Sequence, residues 1–103
     1  MGTVTMCRRA GRLRMGMDMT KDACAAGEAK AVLVAEDVSA KTLKEVKFVC
    51  AKYGVKLYAM GIPMDEIGFE LGKRVGILAV CDDGFAKKTG QLLEIIENDT
   101  EIM

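Results

Sequence analysis

Two unbroken apolar runs constrain this chain most: Ala31-Val32-Leu33-Val34-Ala35 and Gly76-Ile77-Leu78-Ala79-Val80. Neither alternates with polar residues, as a strand with one wet face does. Each therefore reads as a strand covered on both faces, which belongs in the middle of a sheet with helices on either side.

The segments between them carry helix signals. Residues 3–10 form a short helix that Gly11 ends in a left-handed conformation. Leu13 to Met15 follow as a brief extended piece, Gly16 breaks the chain, and residues 17–26 read as a helix closed by Gly27, with Met19, Ala23 and Ala26 on one face. Ser39 caps a longer helix whose inward residues are Leu43, Val46, Cys50 and Tyr53, and Gly54 stops it. Residues 55–59 make a further strand. Beyond the Gly61-Ile62-Pro63 break, residues 64–71 form a short helix with Ile67 and Leu71 inward. Asp82-Asp83-Gly84 turns the chain into a last helix, along which Phe85, Leu92 and Ile96 recur at a helical period. The alternation predicts one domain over residues 1–103, an α/β chain with a sheet between helical layers.

Several function classes fall away. With no histidine, the commonest general base and metal ligand is missing. The four cysteines, Cys7, Cys24, Cys50 and Cys81, are scattered without a CxxC pair and read as reduced core thiols. Asp82-Asp83-Gly84 fits a turn with a helix cap better than a cation site, and Glu36-Asp37 fits capping of the following helix better than an acid/base pair. No GxGxxG or Walker A loop occurs. A chain without catalytic residues, metal or cofactor is expected. No apolar run reaches bilayer length and no signal-type leader precedes the first helix, so a cytoplasmic protein without membrane contact is expected. Of the eight methionines, Met17 and Met19 are placed at the surface and the others are expected to fill core gaps.

Net charge is zero, yet its distribution is uneven. Arg8, Arg9, Arg12 and Arg14 precede the first acidic residue, Asp18, whereas Glu94, Glu97, Asp99 and Glu101 follow the last basic one, Lys88. One end of the sequence thus attracts phosphate and the other repels it. Lys73-Arg74-Val75-Gly76 adds two cations and a flexible residue just before a buried strand, where a loop can present charge and backbone donors to phosphate.

Four stretches, in order, resemble the L7Ae/L30e family of small ribosomal and RNA-binding proteins, and its bacterial branch in particular. They are Cys7-Arg8-Arg9-Ala10-Gly11-Arg12-Leu13, the run from Gly27 through Asp37, Glu66-Ile67-Gly68-Phe69-Glu70-Leu71-Gly72-Lys73, and Ala79-Val80-Cys81-Asp82-Asp83-Gly84-Phe85-Ala86. The resemblance spans about residues 4 to 96. It implies a three-layer α/β/α sandwich of the L30e-like type around a small mixed sheet. It also implies a non-enzymatic protein that docks on structured RNA, kink-turn-like or ribosomal, through the start of the second helix and the loop before the last central strand. The residues implicated here are Arg12, Arg14, Gly16, Met17, Asp18, Lys21, Lys73, Arg74, Val75 and Gly76.

Kink-turn binders of the family generally show Gly-x-Asn-Glu-x-x-Lys, where this chain has Gly16-Met17-Asp18-Met19-Thr20-Lys21-Asp22. An ionised Asp18 keeps only acceptors, Met19 cannot hydrogen-bond a base edge, and Asp22 reverses a charge. Lost contacts worth about 1–3 kcal/mol each predict weaker, more charge-driven binding than a full signature gives. Met17 and Met19 also suit an alternative, a protein-interaction module that keeps the fold and takes a protein partner.

Overall fold

The computed structural model describes residues 2–96. In chain order the elements are α1 (Gly2–Arg9), β1 (Leu13–Met15), α2 (Met17–Ala25), β2 (Ala31–Val34), α3 (Ala40–Tyr53), β3 (Lys56–Ala59), α4 (Met64–Leu71), β4 (Ile77–Val80), α5 (Asp83–Leu92) and β5 (Glu94–Ile95). The strands form one mixed sheet in the order β1-β4-β2-β3-β5, with β2 and β3 parallel and every other pair antiparallel.

The two apolar runs are the sheet's neighbours β2 and β4, and every residue of both strands is buried. Because successive strand side chains point to opposite faces, their apolar residues feed two cores. Leu33, Leu78 and Val80 pack with Val4 and Cys7 of α1, Ile67 and Leu71 of α4, and Phe85 of α5. Val32, Val34, Ile77 and Ala79 pack on the other face with Ala23 and Cys24 of α2 and Val46, Val49 and Cys50 of α3. The molecule is thus a three-layer sandwich, α1, α4 and α5 on one side and α2 and α3 on the other, as expected.

Helix ends follow the punctuation of the sequence. Ser39 Oγ accepts from Thr42 N–H at 3.1 Å to start α3, and Gly54, at φ 68°, ends it. Pro63 and a left-handed Gly72 delimit α4. Asp82 caps α5 by accepting from Phe85 N–H at 2.9 Å, the capping role its sequence suggests.

Four local expectations are corrected. The buried residues of α2 are Thr20, Ala23 and Cys24, and the helix ends at Ala25 with Ala26 exposed, so the inward face runs through Thr20 rather than Ala26; Met19 is exposed, as its placement at the surface anticipates. Asp37 does not cap α3; its carboxylate accepts from Met64 N–H at 2.9 Å and caps α4 instead. Tyr53 lies at the last position of α3 and is 40% exposed, Val49 filling the core in its place. The last helix stops at Leu92, which is exposed, because the chain then bends to pair Glu94 and Ile95 with the open edge of β3. Ile96, whose N–H donates to Leu57 O at 2.8 Å, joins the α3-side core from outside any helix.

Met60 is buried and Met15 and Met64 are partly so, but Met6 is 56% exposed on α1, against expectation. Glu97, Asp99 and Glu101 of the acidic end lie outside the described residues. Among the described residues no helix is long and apolar enough to cross a membrane.

Candidate functional site

The start of α2 and the loop before β4 are neighbours, because β1 pairs with β4. Met15 lies opposite Leu78, and Gly16 N–H continues the ladder by donating to Ile77 O at 2.8 Å. Gly16 holds φ 100° and ψ 160°, a conformation closed to residues with a side chain, and this lets the chain turn from strand directly into helix. A glycine cap has no side-chain acceptor, so no side chain caps the first-turn amides of α2. The start of this nine-residue helix, with no side-chain cap, favours an approaching anion.

On the facing side, Gly76 has no room for a side chain. A Cβ there would sit 2.6 Å from Val38 Cγ1 and 3.0 Å from Met64 Sδ. The loop is held from below by Gly68, whose missing side chain lets the Arg74 backbone approach: a Cβ on Gly68 would lie 3.1 Å from Arg74 Cα. Left-handed Gly72 turns α4 into the loop, its N–H donating to Gly68 O at 2.8 Å.

Between these walls runs an open groove of about 440 Å³ lined by Gly16, Met17, Val38, Ser39, Thr42, Met64, Arg74, Val75, Gly76 and Ile77. The fold therefore brings together five of the residues singled out in the sequence: Gly16, Met17, Arg74, Val75 and Gly76. Val75 is 7% exposed and packs into the α4-side core, which anchors the loop. Asp18 and Lys73 are exposed and adjoin lining residues in the chain. Val38, Ser39, Thr42 and Met64 complete the groove. Sequence reasoning missed them because they reach it from the β2–α3 loop, the first turn of α3 and the start of α4.

Three basic residues are not gathered there. Arg12 sits at the far end of β1, where its carbonyl accepts from Cys81 N–H at 2.8 Å; four extended residues put it about 13 Å from Gly16. Arg14 Nη1 donates back to Gly11 O at 3.2 Å, pointing the guanidinium away from the groove. Lys21 is paired with Glu45 of α3, which raises its pKa above the ordinary lysine value. Arg74 remains at the rim, but its Nε donates to Asp65 Oδ1 at 2.6 Å.

Nothing in the arrangement resembles a nucleophile with its base. Burial pushes the Cys7 thiol up to about 11 and the Cys50 thiol up to about 12, so both are protonated at neutral pH. Cys24 and Cys81 are also raised by burial, and all four cysteines are free. Among the described residues no cluster of acids or cysteines is fit to hold a metal ion.

Residues 1–90 match the Ribosomal protein L7Ae/L30e/S12e/Gadd45 family. The chain belongs to this family. It is 35% identical over 94 residues to the RNA-binding protein YlxQ of Enterococcus faecium, covering 91% of this chain and 90% of that one. It is 27% identical over 81 residues to the large ribosomal subunit protein eL30 of Aeropyrum pernix, covering 77% and 81% respectively. A solved structure of a protein with unknown function from Bacillus halodurans has the same fold, with a TM-score of 0.81 at 24% identity over 87% of this chain and 91% of that one.

Proposed function

We propose that this protein binds structured RNA in the cytoplasm, kink-turn-like or ribosomal, by docking it against the α2 start and the residues 73–76 loop. The observation that carries this reading is the side-by-side placement of an uncapped helix start and a cationic turn across one groove. Backbone amides at Met17 to Met19 offer donors to phosphate, while Lys73 and Arg74 offer charge. Asp65, holding Arg74 at the rim, positions its guanidinium but also offsets part of that charge. With Asp18 and Met19 in place of an amide and an acid, shape and charge carry more of the recognition than base edges.

The test is a titration of three RNAs at two salt concentrations: a kink-turn, the same RNA with its G·A pairs disrupted, and an unrelated hairpin. The reading expects the kink-turn to bind tightest, all affinities to fall as salt rises, and a Lys73→Glu/Arg74→Glu variant to bind at least tenfold more weakly, about 1.4 kcal/mol. Structured RNA that bound no better than it does to an inert protein control at low salt would reject it.

A protein-interaction module is the second reading, favoured by Met19, 49% exposed in the first turn of α2 beside the groove. Partners that survive nuclease treatment of a cell extract and are lost on Met19→Asp would support it against the first.

A further inference from the structure

The longest helix carries a feature that the groove does not use. α3 has 14 residues, with Lys41, Lys44, Lys47 and Lys52 against a single acid, Glu45, already paired with Lys21. Lys41, Lys44, Phe48 and Lys52 follow one another at spacings of three or four, so they share one face, and all four are exposed. Phe48 stands at the centre of that face, 65% exposed, beside a shallow depression of about 430 Å³ between α2 and α3. At the end of the helix Tyr53 is 40% exposed, with Lys52 Nζ 5.4 Å from its ring centre.

A phenylalanine left 65% exposed gains little from folding, and the flanking lysines favour a partner that carries negative charge over a purely apolar one. Aromatic faces between cations suit an unpaired nucleotide, whose base stacks on the ring while its phosphates meet the ammonium groups. Ser39 and Thr42 at the start of α3 line the groove, and Phe48 lies about 9 Å further along the axis and about 120° round the helix from Thr42, so a strand leaving the groove reaches it by crossing α3.

We propose that the outward face of α3 is a second RNA contact, which takes unpaired nucleotides leaving the groove, with Phe48 as the stacking platform and Lys41, Lys44 and Lys52 as phosphate contacts. This rests on the reading of the chain as an RNA-binding protein. It adds a requirement that the groove alone does not impose: RNA with a single-stranded extension binds better than the same RNA without one.

Fluorescence anisotropy on one hairpin, blunt or carrying a tail of about eight nucleotides, tests it. The wild-type protein is expected to bind the tailed hairpin about tenfold tighter than the blunt one, an advantage that Phe48→Ala erases and Phe48→Tyr keeps. Lys44→Glu/Lys52→Glu is expected to reduce the advantage and its salt dependence. Phe69→Ala, at another exposed phenylalanine, is expected to leave it unchanged. Because Phe48 faces solvent, thermal unfolding of Phe48→Ala should match wild type.

The proposal is overturned if wild type shows no preference for the tail, or if Phe48→Ala retains it. It is also overturned if Phe48→Ala instead loses binding to polyglutamate, which would make the partner an acidic protein. The groove reading fails separately: Lys73→Glu/Arg74→Glu would then leave blunt-hairpin affinity intact. Absence of any RNA binding by wild type would sink both.

Discussion

α3 and α4 lie on opposite faces of the sheet, and each presents a phenylalanine to solvent, Phe48 at 65% and Phe69 at 86% exposure. Their surroundings are of opposite sign. Phe48 stands among the lysines of α3, whereas the eight residues of α4 include Asp65, Glu66 and Glu70 and no base. A net charge of zero thus conceals two faces that repel opposite partners. Exposure of an aromatic ring marks a surface as available, and the charge beside it decides for whom.

Beneath these unlike faces the anchoring is alike, which gives the largest expected effect. Cys7 holds α1 in the α4-side core and Cys50 holds α3 in the other. Both thiols are raised from an ordinary 9.0, to about 11 and about 12. The unfolded chain therefore releases protons at a lower pH than the folded one. Their contribution is intact below pH 9 and is lost as pH rises from 9 toward 11 and 12, about 3 kcal/mol for Cys7 and about 4 kcal/mol for Cys50. Urea midpoints at pH 8, 10 and 11 check this; a midpoint constant across the range would show that the thiols are not held protonated by packing.

Gly76→Ala comes next, because the added Cβ meets Val38 and Met64 at the meeting point of the β2–α3 loop and α4. A loss of about 1–3 kcal/mol is expected by denaturant unfolding, together with weaker RNA binding. A neutral result would mean that the groove wall yields freely.

The two helices can then be compared directly through their caps, both supplied by the β2–α3 loop. Ser39 caps α3, and Asp37 caps α4 across a separation of 27 residues. Ser39→Ala and Asp37→Ala should each cost about 1 kcal/mol. Only Asp37→Ala is expected to loosen α4, visible as faster amide exchange at Met64. The smallest effects on stability belong to Phe48→Ala and Phe69→Ala, within about 0.5 kcal/mol of wild type by thermal unfolding.

Much of the fold was legible because its signals are local. The Pro63 and Gly72 boundaries gave α4 to the residue, Ser39 and Gly54 gave the ends of α3, and the two apolar runs gave the central strands. What was missed depends on contacts distant in sequence. Glu94 and Ile95 look like helix until the open edge of β3 is there to pair with them. Asp37 reads as the cap of the nearest helix until folding brings Met64 N–H to it. Thr20 was overlooked because a buried hydroxyl leaves no apolar mark. The two halves of the groove were legible as separate motifs, but only the β1–β4 register distinguishes Gly16, which reaches it, from Arg12 and Arg14, which do not.

The central claim is that one groove, walled by the α2 start and the loop before β4, receives structured RNA. Amide chemical-shift changes during titration with a kink-turn RNA test it most directly. The account expects the amides of Met17, Asp18 and Met19 to move together with those of Lys73, Arg74 and Gly76, at the lowest RNA concentrations and with a common midpoint. Shifts confined to other surfaces, or movement of one wall without the other, would contradict it.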